Sequence, residues 1–117
     1  HVTSIDIHGD FLRPAAARLE TLGINNASLE EGDGADGWNT STDWDAILLT
    51  GSVPVLPDAY CQILAPGGRL TAIVGQQPIM EAMLYCQSID GQWSEQSLFD
   101  TSLPPLINVK TPSAFTF

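Results

Sequence analysis

The side chains best placed for chemistry in this sequence are carboxylates that close short apolar runs. Val2-Thr3-Ser4-Ile5-Asp6 is a β-branched segment ending in an acid, and Asp33 stands just beyond a weaker segment, Asn26 to Glu31. In open α/β sheets, an acid at the carboxyl end of a strand accepts hydrogen bonds from the ribose hydroxyls of a nucleotide-like cofactor. It commonly lies about 20 residues after a glycine-rich turn. Only five residues precede Asp6, so the turn that should accompany it has no room upstream.

A literal G-x-G-x-x-G does occur from Gly32 to Gly37. The phosphate-binding form of this motif leads into a helix whose N-H groups face an anion. Here Asp33 and Asp36 sit inside the loop and no amphipathic run follows, so a pyrophosphate would be repelled. A calcium-loop reading of Asp33, Asp36, Asn39, Asp43 and Asp45 fails on spacing and on the missing terminal Glu. His1 and His8 are too few for a metal centre, and there is no G-x-S-x-G nucleophile. Cys61 and Cys86 lack the spacing of a zinc or redox pair and read as cytosolic thiols. Each acid also has a plain structural reading: Asp6 as a turn-capping residue, Asp33 as an Asx turn before Gly34.

The elements that must position these residues alternate between strand and helix. After the strand Val2 to Asp6, Asp10 is expected to cap a helix running to about Leu22. In it Pro14 falls in the first turn and Phe11, Leu12, Ala15, Ala16, Leu19 and Leu22 recur on one face. Gly23 is its natural stop. Asp45 to Thr50, DAILLT, is a continuous apolar run suited to a parallel strand covered on both faces. Pro57 opens a short helix, DAYCQIL, followed by the turn Ala65-Pro66-Gly67-Gly68 and a strand over Arg69 to Val74. Ile79 to Ile89 carries both helical and strand patterns. The Asp90-Gly91 turn signal favours two antiparallel strands, the second over Gln92 to Leu103.

The chain of 117 residues carries 14 acidic against 4 basic side chains, a formal charge of -10. That balance repels nucleic-acid backbones and anionic lipid surfaces. No apolar run reaches the 18 or so residues of a membrane span, and no signal peptide with a basic start is present. A soluble, cytoplasmic, single domain over 1-117 with a loose tail over 107-117 is the expectation, with neither nucleic acid nor membrane as partner.

In order, VTSID, LETLG, EGDG, WDAILLTGSVPVLP, LAPGGRLTAIVG and the late LPPL resemble the second half of a protein-L-isoaspartate O-methyltransferase, a class I S-adenosylmethionine-dependent enzyme. The resemblance covers about Val2 to Leu106. It implies an α/β fold: a partial Rossmann-like sheet, mostly parallel, with a C-terminal antiparallel hairpin and without the first strand. Carried over, it puts Asp6 on the cofactor ribose, Asp33 and Gly34 at the adenine, and Thr50, Gly51 and Ser52 beside the methyl-transfer and substrate region. The family commonly has small apolar residues where this chain has Gly51 and Ser52, and a proline where it has Ile73.

The resemblance further implies a protein or peptide methyl acceptor. It also implies that the glycine-rich turn gripping the donor belongs to sequence before His1. The chain is then expected to be a fragment without catalytic residues of its own, weak or inert toward S-adenosylmethionine and inactive in isolation. The alternative is a non-catalytic α/β interaction module derived from a methyltransferase; a nicotinamide dehydrogenase domain fits the late hairpin less well. The absent strand would lie between Val2-Asp6 and Asp45-Thr50. Those strands should therefore pair directly, or a homodimer should form through the exposed sheet edge.

Overall fold

The computed structural model describes residues 1-38 and 43-110. The chain divides into two compact units, His1–Gly34 and Ala35–Phe117. The first holds strand β1 (Val2–Asp6), helix α1 (Gly9–Thr21) and strand β2 (Ala27–Glu31). β1 and β2 pair in parallel from Val2↔Ala27 to Asp6↔Glu31, so α1 is the crossover of a strand-helix-strand unit, as the alternation requires.

α1 begins two residues before its expected start after Asp10. His8 occupies the N-cap without a side-chain bond, and Asp10 lies in the first turn, where its charge suits the helix dipole. With the helix starting at Gly9, Pro14 is interior and removes a ladder bond that a first-turn proline would spare. The C-terminus follows the expectation. Gly23, at φ 70°, donates to the Glu20 carbonyl and Ile24 donates to that of Leu19, at 3.0 and 2.9 Å. This is a Schellman closure, which a left-handed residue at this position makes possible.

The second unit holds β3 (Trp44–Val53), α2 (Asp58–Gln62), β4 (Leu64–Gln76), β5 (Ile79–Gln87) and β6 (Trp93–Thr101). These strands form a four-stranded sheet in the order β3-β4-β5-β6. β3 and β4 are parallel, while β4-β5 and β5-β6 are antiparallel, so the late hairpin is present. The Pro-Gly-Gly turn sits inside β4 as a looped-out stretch: Trp44 pairs with Leu64, and the next pair is Ala46 with Arg69. Gly91, at φ 83°, lies in the β5-β6 turn, where its N-H meets the Ser88 carbonyl at 2.9 Å.

The core belongs to the second unit. Leu49, Val53, Tyr60, Leu64, Leu70, Ala72 and Tyr85 form its buried cluster, with Trp38, Ile47, Leu56, Leu106 and Val109 among the residues packed against it. DAILLT is covered on one face alone: Leu49 is buried while Leu48 is 69% exposed. Within each unit the ladder is the one its crossover supplies: β1 to β2 and β3 to β4.

The end of β3 has a second neighbour. Ser52 donates its N-H to the Pro104 carbonyl and accepts from the Leu106 N-H, at 3.0 and 2.9 Å, in a parallel bridge to Pro105. The Ser52 hydroxyl adds a 3.0 Å bond to the Leu103 carbonyl. Residues Leu103 to Leu106 thus form a strap along the edge of β3 opposite β4.

Candidate functional site

In the first unit, parallel register brings Asp6 and Glu31 side by side at the carboxyl ends of β1 and β2. The Gly32 N-H donates to the Asp6 carbonyl at 3.0 Å, which extends this alignment by one residue and directs the chain toward Asp33 and Gly34. The three acids Asp6, Glu31 and Asp33 therefore arise at one end of the two-stranded sheet, the end at which open α/β sheets receive ligands.

The half-buried Asp6 also serves its plain structural role. Its Oδ1 accepts the His8 N-H at 2.8 Å, an Asx-type bond that turns the chain into α1. A carboxylate offers about four lone-pair positions. The turn bond leaves capacity for a vicinal diol, so Asp6 fits the ribose portion of a nucleoside. Asp33 is exposed and Gly34 half-buried.

Glu31 is the residue that strand patterning did not single out. Its carboxyl group lies over Gly9, where an added Cβ would come within 2.6 Å of it. Two consecutive acids at the end of a strand were the available signal, but nothing in their spacing distinguishes the one facing the helix start.

Thr50, Gly51 and Ser52 lie in the second unit at the end of β3. Thr50 is exposed. Ser52 is 1% exposed and its hydroxyl is engaged by the strap. Gly51 lies under Leu106, whose Cδ2 would be 2.6 Å from an added Cβ. The structure thus gives Gly51 and Ser52 a packing task, and Thr50 alone of the three presents its side chain outward.

Cys61 and Tyr85, in the second unit, are moved from their ordinary protonation range. Burial raises the Cys61 thiol, helped by the charges of Asp58 and Glu95 and opposed by a backbone hydrogen bond. Burial also raises the Tyr85 phenol, helped by Glu95, Cys61 and Glu81. Among the described residues no cluster of His, Cys, Asp and Glu has the arrangement of a metal site.

Residues 1–110 match the family model of protein-L-isoaspartate(D-aspartate) O-methyltransferase. A protein-L-isoaspartate O-methyltransferase 1 of Anaeromyxobacter sp. (strain Fw109-5) is 42% identical over 71 residues, covering 61% of this chain and 34% of that relative. The Xanthomonas oryzae pv. oryzae (strain PXO99A) protein-L-isoaspartate O-methyltransferase is 36% identical over 107 residues, 92% of this chain and 47% of its own length. In fold, the chain is similar to a structure described as a putative protein-L-isoaspartate O-methyltransferase from Plasmodium falciparum in complex with S-adenosyl-L-homocysteine. The TM-score is 0.75 at 17% identity, over 91% of this chain and 52% of that one. The chain therefore spans about half or less of the proteins it matches.

Proposed function

Since this chain belongs to the protein-L-isoaspartate(D-aspartate) O-methyltransferase family, we propose that it is the cofactor-acid and sheet-edge portion of an S-adenosylmethionine-dependent methyltransferase acting on a protein carboxylate. S-adenosylmethionine supplies, when bound, an electrophilic methyl group on a sulfonium centre. In this reading Asp6 accepts from the ribose hydroxyls, Asp33 accepts from the adenine amine beside Gly34, and Thr50 borders the acceptor. The observation that carries the reading is the Asp6↔Glu31 register, which supports a shared acidic edge continuing to Asp33.

Methyl transfer depends chiefly on holding donor and acceptor in line. Nothing in residues 1-117 offers the glycine turn that would hold the methionine end of the donor. We therefore expect the isolated chain to be catalytically silent, and the acceptor to be a polypeptide in the complete enzyme. Among the described residues no helix is long and apolar enough to cross a membrane. The two unpaired thiols support a reducing, cytoplasmic setting.

Isothermal titration of the chain with S-adenosylhomocysteine tests both parts. The expected dissociation constant is no tighter than about 100 μM, about -5.5 kcal/mol. At millimolar ligand, amide shifts should be confined to Asp6 and Gly32 through Gly34. A low-micromolar constant contradicts the fragment reading; shifts centred elsewhere contradict the residue assignment.

A further inference from the structure

We infer that the cleft between α2 and the β5-β6 hairpin binds the arginine side chain of a partner polypeptide. The cleft measures about 310 Å³ and is lined by Asp58 and Cys61 of α2, Val74 of β4, Tyr85 of β5, and Trp93 and Glu95 of β6, among others. It lies wholly within the second unit and does not depend on the methyl-transfer reading.

The hairpin register builds its aromatic side. Tyr85 pairs with Glu95 and Gln87 with Trp93, so Tyr85, Trp93 and Glu95 share one face of the sheet. The two rings lie 5.9 Å apart between centroids at an interplanar angle of 30°. Tyr85 is buried, whereas Trp93 remains 38% exposed and keeps open surface toward the cleft.

Charge then selects the occupant. Asp58 and Glu95 line the cleft from a helix and a strand, and the field of both reaches Cys61. Among the described residues no Lys, Arg or His lines the cleft, and Lys110 is drawn to Asp36 instead. An anion is therefore repelled. A guanidinium is planar and weakly hydrated, stacks on aromatic faces and can meet carboxylates through its fork of donors. A compact ammonium gains less from the rings and the apolar wall. Asp58, Glu95, Tyr85 and Trp93 together thus describe the complement of arginine, supplied in trans because the chain places none of its own there.

The test titrates the 117-residue chain with end-blocked Gly-Arg-Gly, using Gly-Lys-Gly and the neutral isostere Gly-citrulline-Gly as controls, while following the Trp93 indole signal. The arginine peptide should bind in the millimolar range or tighter and shift Trp93, with citrulline inert and lysine weaker. Glu95→Gln and Asp58→Asn, on separate elements with exposed side chains, should each weaken binding about five- to tenfold, as loss of a charge-assisted contact does. Equal binding of citrulline, equal binding of lysine, no Trp93 shift up to about 10 mM peptide, or unchanged affinity in both variants would overturn the assignment.

Discussion

The hydroxyl of Ser52 and the absent side chain of Gly51 act on one segment. Ser52 bonds the Leu103 carbonyl, and Gly51 makes room for Leu106. Ser52→Ala removes a buried donor and should cost about 1 kcal/mol in urea unfolding. Gly51→Ala forces Leu106 off its seat and should cost about 1 to 3 kcal/mol. If both variants unfold like the parent protein, the strap is not a source of stability. At Cys61 the effect depends on pH. The folded protein holds the thiol proton more tightly than the unfolded chain, so this group is neutral to stability below the ordinary thiol range near about 8.5. Stability then declines as pH rises from there through the elevated folded value. In a Cys86→Ser background, the pH profile of Cys61 alkylation should have its midpoint above that range, and Glu95→Gln should move it down. That Asp6 closes a strand was legible because an acid after a β-branched run is a local signal. The tasks of Gly51 and Ser52 were not, since their partners lie some fifty positions later and no local pattern announces them.

Helix α1 shows what periodicity reads and what it overreads. Leu12, Ala15 and Leu19 are half-buried, whereas Phe11 and Leu22 are 59% and 72% exposed. The six-residue apolar face therefore narrows to the i, i+3, i+7 line that meets a two-stranded sheet. Leu19→Ala should cost about 1 to 2 kcal/mol, below the range for fully buried leucine, and Phe11→Ser should stay within about 0.5 kcal/mol. Thermal unfolding of the pair checks this, and a larger loss from Phe11→Ser would assign the helix face wrongly. Element boundaries were readable where a glycine closes them, at Gly23 and Gly91. The Asp10 cap was misplaced because the turn bond from the His8 N-H to Asp6 Oδ1 starts the helix two residues sooner. DAILLT was legible as a strand by its run of apolar residues. Its exposed side was not, since a continuous run does not say which faces are covered.

Stability is distributed unevenly over the molecule. No residue of His1–Gly34 is buried, and every buried hydrophobic lies in the second unit. With no buried side chain of its own, the first unit has few apolar contacts to resist local opening. In hydrogen exchange, β1 and β2 amides should therefore open at markedly lower free energy than those of β4 and β5; equal protection would contradict this. Among the described residues β3 is an end strand of the larger sheet, and we expect the isolated chain to dimerise there. Sedimentation showing a monomer at about 100 μM, a concentration at which a micromolar dimer would be populated, would exclude it. The strap has one more implication. By returning from β6 to lie against β3, it fastens the two outermost strands of the larger sheet to each other, so neither border can peel off alone. Cutting the chain after Thr101 should consequently free the opposite border as well as the near one, so that unfolding begins at lower denaturant and over a broader transition.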